Sequence, residues 1–246
     1  MDIYHSDFKA RYKADASPVS DADELGEAII LASLKQHVPD IPVLAEEAAS
    51  RGEHPATGNT FILVDPLDGT KEFINRNGEF TVNIALIENG KPVVGAVYAP
   101  VLGKLWFSGA VAYVCDVGPG QPLPAPDQWH RLGCRSEQST GMVALASRSH
   151  TDEATENFLK ALPICERRSA GSSLKFCALA EGNADVYPRF GPTMEWDTAA
   201  GDAVLRAAGG CVIDATTHEQ LAYGKQQQNY RNDAFVAWAD PKAVRF

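Results

Sequence analysis

Cysteine is scarce in this sequence. Five stand in 246 residues, at 115, 134, 165, 177 and 211, an odd number with no C-x-x-C pair. That excludes a disulfide framework or a zinc ribbon and leaves buried thiols suited to a reducing compartment. Long apolar runs are missing too: none approaches the roughly 18 residues needed to cross a bilayer. A membrane span is not expected, and a cytoplasmic location is. Positive charge is short, with 22 Lys plus Arg against 32 Asp plus Glu and a net charge of -10. Such a balance repels nucleic-acid backbones and anionic membranes, and Arg167 and Arg168 make only a pair, not a basic patch. The six histidines show no metal-ligand spacing. No internal repeat is present, and the glutamines at 226–228 are too few for low complexity.

What remains is ordinary globular composition, 45% apolar and 22% charged, in a chain long enough for one large domain or two packed ones. Apolar spacing predicts an amphipathic helix over 23–36, stopped by Pro39 and Pro42. The run 61–64 predicts a buried strand that delivers a loop of turn-forming residues. Runs at 80–87, 91–98 and 105–114 predict an antiparallel meander. The stretch 118–126, with Gly118, Pro119, Gly120, Pro122, Pro124 and Pro126, supports neither helix nor central strand and marks a boundary between halves 1–125 and 126–246. Beyond it the sequence predicts a strand at 142–146, helices at 152–161, 173–180 and 199–208, and a strand at 211–213. The last helix ends at the stop signals Gly209 and Gly210. Stacked sheet and helix layers fit this order better than a barrel.

Asp65, Pro66, Leu67, Asp68, Gly69 and Thr70 place two carboxylates three residues apart on a tight turn, with a carbonyl between them and a hydroxyl after. Hard cations such as magnesium favour this oxygen set. A helix opening at Thr70 would add free amides for an anion. The same residues have a purely conformational explanation, because Asp, Pro and Gly dominate turns. Glu46 and Glu47 follow the apolar Val43, Leu44 and Ala45, as acids at a strand end or as a solvated helix start. Asp197 reads as a helix N-cap and Asp23 as an ordinary helix-start acid.

Together these segments resemble the metal-dependent, lithium-sensitive phosphatase family that includes inositol monophosphatase, fructose bisphosphatase and 3'(2'),5'-bisphosphate nucleotidase. The likeness is carried by the segment from Lys13 to Asp23, by Leu44-Ala-Glu-Glu47, by the segment from Leu63 through Asp-Pro-Leu-Asp-Gly-Thr-Lys-Glu-Phe73 to Asn83, by Gly171-Ser-Ser-Leu-Lys-Phe-Cys177, and by the segment from Tyr187 through Trp196-Asp-Thr-Ala-Ala-Gly201. The third and last motifs mark the superfamily. Thr-Lys-Glu-Phe and Gly-Ser-Ser-Leu-Lys-Phe point to its nucleotidase branch.

The resemblance implies an α/β/α/β/α sandwich, α+β in its first half and α/β in its second, with the site between them. It implies a phosphatase of sulfur metabolism that converts 3'-phosphoadenosine 5'-phosphate to AMP with two or three magnesium ions. Glu46, Asp65 and the Leu67 carbonyl would hold one ion; Asp65, Asp68 and Asp197 would hold a second. Asp23, Glu46 and Thr70 would handle the attacking water. Glu46, Leu67, Asp68, Gly69, Thr70 and Asp197 would contact the scissile phosphate. Arg148, Ser172, Ser173, Lys175 and Arg189 are candidates for the second phosphate and the nucleoside. The implied partner is a small nucleotide bisphosphate, with a homodimer left open. Family members normally start with a long N-terminal helix, whereas only 12 residues precede Lys13 here, which would leave apolar surface exposed. An inositol or sugar phosphatase, or a non-catalytic nucleotide sensor, would use the same residues. A glycosidase would instead need two acids flanking a sugar cleft.

Overall fold

A computed structural model describes the chain except residues 7–10, 13–17, 20, 137–139 and 147–151, and the side chains of 11, 12, 18 and 19. The first half builds a seven-stranded sheet of β3 (Val43–Ala45), β4 (Thr60–Asp68), β5 (Thr81–Glu88), β6 (Lys91–Ala99), β7 (Lys104–Ser108), β8 (Ala112–Asp116) and β9 (His130–Arg131), in that spatial order. β3 and β4 run parallel and the rest pair antiparallel. The expected meander is present. Its third run, 105–114, is two strands rather than one, because the chain turns at Gly109 between β7 and β8. The proline-rich stretch carries no strand or α-helix, only a 3-10 turn at Pro126–Gln128. β9 follows it and joins the same sheet.

The second half forms a five-stranded sheet in the order β11 (Ile164–Ser169), β10 (Met142–Ala146), β12 (Val186–Arg189), β16 (Phe235–Trp238) and β14 (Cys211–Asp214). Two-strand pairs β1 (Arg11–Tyr12) with β2 (Pro18–Val19), and β13 (Thr193–Met194) with β15 (Arg231–Asn232), complete the strands described. The helices are α1 (Asp2–His5), α2 (Asp21–His37), α3 (Glu46–Ser50), α4 (Thr70–Ile74), α5 (Glu153–Lys160), α6 (Leu174–Ala180) and α7 (Glu195–Ala207).

Burial explains the layering. On the outer face of the large sheet, Ile30, Leu31 and Leu34 of α2 pack on Ile62 and Val64 of β4. Leu25 and Ile29, on the opposite side of that helix, are 56% and 71% exposed. On the inner face lies α7, where ten of 13 residues are buried. Only a helix of small side chains can sit between two sheets with a second helix beside it. Ala199, Ala200 and Ala203 let the sheets approach, and a Cβ on Gly201 would stand 2.5 Å from the Phe176 ring of α6. The five-stranded sheet follows, and Phe158, Leu159 and Leu162 cover its far face with Met142, Ala144, Val186 and Trp238. Helix, sheet, helices, sheet and helix thus succeed one another, the sandwich implied by the motifs.

Candidate active site

β4 ends where its chemistry begins. The strand expected to close at Val64 continues through Asp68, with its register broken between Asp65 and Asp68 opposite β5. This irregularity puts both acids at the sheet's edge of regularity and lets the Leu67 amide turn back onto Asp65 Oδ1 at 2.9 Å. Gly69 then takes φ +94°, a left-handed conformation that L side chains rarely adopt, and α4 opens at Thr70 as expected. On the neighbouring strand, the inward face of β5 changes character along its length. Ala85 and Ile87 fill the core, whereas Thr81 and Asn83, also buried, meet the acids. Asn83 Nδ2 lies 3.3 Å from Asp68 Oδ2 and Thr81 Oγ1 lies 3.5 Å from it.

The acids named from four separate segments converge. Burial pushes Asp65 well above the usual carboxylate range, and Glu46, Asp68 and Asp197 push it further; only the Leu67 amide opposes them. Asp197 is raised in the same way, by burial first and then by Asp68 and Glu46. Charge of one sign has been gathered here, opposed at Asp197 only weakly by Arg189. Asp197 is not the expected N-cap of α7. The helix opens two residues earlier at Glu195, Asp197 is its third residue, and its Oδ2 accepts the Met194 amide at 2.8 Å. Its second oxygen remains for other work. Asp23, in the first turn of α2 and 1% exposed, accepts from the Thr70 hydroxyl at 3.2 Å, so the sequence pair 47 residues apart is a contact.

The donor set fits magnesium: carboxylates and a peptide carbonyl, with no thiol or imidazole. Among the described residues, no three His, Cys, Asp or Glu side chains already close an ion cage.

A cavity of about 320 Å³ opens beside the acids, lined by Asp68, Gly69, Thr70, Glu72 and Asp197 together with Lys175, Tyr187 and Arg189. Ser172 also lines it, at φ +48°, with its hydroxyl 2.6 Å from Thr81 Oγ1. Ser173 does not line it. Its hydroxyl meets Asp68 Oδ2 at 3.0 Å and the Asp197 carbonyl at 2.9 Å, so it braces the acids from behind. Lys175 is 5% exposed and donates to the carbonyls of Ala170 at 3.1 Å and Ser172 at 2.7 Å. Burial lowers its pKa to about 8. Arg189 donates to the Pro192 carbonyl at 3.2 Å, while its buried Nε has no acceptor among the described residues. Arg148 and Lys13 lie outside the described residues. Sequence reasoning missed Asn83, which donates to both Asp68 and Ser173, and Lys71, which lines the cavity. Lys71 sits inside the Thr-Lys-Glu-Phe motif and was legible there.

A model of the inositol monophosphatase family matches residues 1–240, and the chain belongs to that family. Its members are metal-dependent phosphatases, and this chain is an enzyme of that class. Among its relatives, the 3'(2'),5'-bisphosphate nucleotidase CysQ of Salmonella typhimurium is 46% identical over 217 residues, 87% of this chain and 84% of the relative. The CysQ of Buchnera aphidicola is 40% identical over 242 residues, 97% of this chain and 88% of that one. The crystal structure of CysQ from Bacteroides thetaiotaomicron superposes with a TM-score of 0.80 at 42% identity, covering 96% of this chain and 90% of that chain. An IMPase of Thermotoga maritima, 21% identical with a TM-score of 0.69, covers 94% of this chain and 82% of its own, and shares the fold. Among the described residues no helix is long and apolar enough to cross a membrane.

Proposed function

We propose that this chain is a magnesium-dependent 3'(2'),5'-bisphosphate nucleotidase that hydrolyses 3'-phosphoadenosine 5'-phosphate to AMP and phosphate. The observation that carries the reading is the mixed charge of the cavity lining: the acids Asp68 and Asp197 share it with buried Lys175 and half-buried Arg189. A substrate with two phosphates matches such a lining, one phosphate at the acids through cations and one at the Lys and Arg directly. The 40–46% identity to CysQ proteins supports the same substrate class.

Glu46, Asp65 and the Leu67 carbonyl would hold one magnesium ion, and Asp65, Asp68 and Asp197 a second, with Asp65 shared. When bound, the ions supply neutralisation of phosphoryl charge and acidification of water. The chain's own groups do the rest. Thr70 donates its hydroxyl proton to Asp23, which leaves its oxygen lone pairs to accept from the attacking water and aim it. Glu46 accepts the proton that water gives up. The amides of Gly69 and Thr70 bind the scissile phosphate, and Lys175 and Arg189 hold the far phosphate and fix the in-line geometry. Residues 1–125 supply Glu46, Asp65 and Asp68, and 126–246 supply Asp197 with Lys175 and Arg189, so both halves build the site.

The test is phosphate release from the nucleotide bisphosphate and from inositol 1-phosphate, with magnesium and with a chelator. Faster turnover of the nucleotide, abolished by the chelator, is expected; preference for inositol phosphate overturns the substrate assignment. Lithium chloride should inhibit where equal potassium chloride does not.

A further inference from the structure

The two fully buried side chains of α2 are carboxylates, Asp23 and Glu27, one turn apart on the same face. Asp23 meets Thr70. Glu27 reaches α3, where its Oε2 accepts the Glu47 amide at 2.7 Å and its Oε1 the Ala48 amide at 2.9 Å. The N-cap of α3 is Ala45, which offers no side-chain oxygen, so the first-turn amides are satisfied from another helix. α3 has five residues, too few to hold itself in place. Its first residue, Glu46, is near enough for its charge to raise the pKa of Asp65.

We infer that Glu27 is a positioning residue for ion binding: by clamping the amides of Glu47 and Ala48 it fixes the first turn of α3 and holds the Glu46 carboxylate against its repulsion from Asp65. The inference rests on the reading of Glu46 as an ion ligand. A buried carboxylate persists only where hydrogen bonds satisfy it, and here both oxygens are committed to one turn of backbone. Arg51, half exposed, stands 3.5 Å from the same carboxylate and adds an outer contact that the clamp does not need.

Mn²⁺ binding followed by electron paramagnetic resonance, without substrate, tests this in wild type, Glu27→Ala, Glu27→Gln, Arg51→Ala and Glu46→Gln. Glu27→Ala should weaken binding about 10–100-fold, as loss of a ligand-orienting partner does elsewhere. Glu27→Gln, which keeps one acceptor, should fall between it and wild type and carries the comparison if Glu27→Ala does not fold. In both, the magnesium concentration for half-activity should rise while urea unfolding shows the protein still folded, so that the shift is not simple destabilisation. Arg51→Ala should bind as wild type does. Loss in Glu46→Gln with unchanged binding in both Glu27 variants overturns the clamp alone. Unchanged binding in Glu46→Gln overturns the ligand assignment and the clamp with it.

Discussion

Helix α7 carries two buried aspartates with opposite surroundings. Asp202, 0% exposed, receives two bonds from Arg206, at 2.6 and 2.8 Å, and one from the Tyr223 hydroxyl at 2.9 Å. Burial raises it, and Arg206 pulls it back. Asp197, five residues earlier, is raised by burial and by two more acids, opposed only by an amide and, least, by Arg189. The cations divide the same way. Arg206 is locked to a carboxylate, whereas Lys175 touches only carbonyl oxygens and stands 5.1 Å from the Tyr187 ring centroid. Where charge is matched by direct bonds, the protein has built structure; where Asp197 and Lys175 make no ion pair among the described residues, the protein has built a place for something else. Stability is given up at such a place for function.

The sharpest way to break this contrast is Asp65→Asn. It should lower phosphate release by 10²–10³-fold or more, the scale of losing a main electrostatic support in a reaction centre. It should also raise the melting temperature of the metal-free protein, at about 2–4 °C per kcal/mol of relieved repulsion. Normal turnover in that variant would remove Asp65 from the reaction. Asp202→Ala should act on the other side, costing about 3–5 kcal/mol by stranding Arg206, with ion affinity of the folded protein unchanged. Urea unfolding and Mn²⁺ titration separate the two effects.

Lys175→Met sharpens the comparison through pH. The unfolded lysine keeps its proton to about 10.5, whereas the folded one releases it near 8. Between these values the unfolded chain binds more protons, so wild-type stability should rise with pH, while below about 8 the cost of the buried charge is present in full. Melting curves across pH 8 to 10.5 should therefore be flatter in the variant; parallel slopes would show that folding does not lower the pKa of Lys175. The smallest effect is expected from Asp197→Asn. The amide oxygen can still accept from Met194, so stability should change by less than the roughly 1 kcal/mol a lost cap costs, while ion binding falls. A large stability loss would return Asp197 to a capping role alone.

Much of this was legible in the chain before any coordinates. Short-range features read well, because the turn chemistry of Asp65 to Thr70 and the apolar spacing of α2 are local. The Asp23 to Thr70 contact and the gathering of Glu46, Asp65, Asp68 and Asp197 came from motif resemblance, not from spacing. Two local readings missed. Asp197 looked like a cap because it follows an apolar residue and precedes an Ala-rich helix, yet the helix begins at Glu195. The 105–114 run hid a turn, since nothing but Ser108 and Gly109 interrupts its apolar character. What no local pattern discloses is partnership across the fold. Ser173 and Asn83 are 90 residues apart and meet only because β5 and α6 share a layer boundary. β11 was not foreseen because five of its six residues are exposed and show no alternation.

Ser172 joins Thr81, Ser173 joins Asn83 and Asp68, and the Gly171 amide meets Glu79 Oε2 at 2.7 Å. These stitches join residues 68–83 to residues 171–173, where the halves of the polypeptide meet. Pulling the halves apart would have to tear all of them together, so at this seam the two travel as one body.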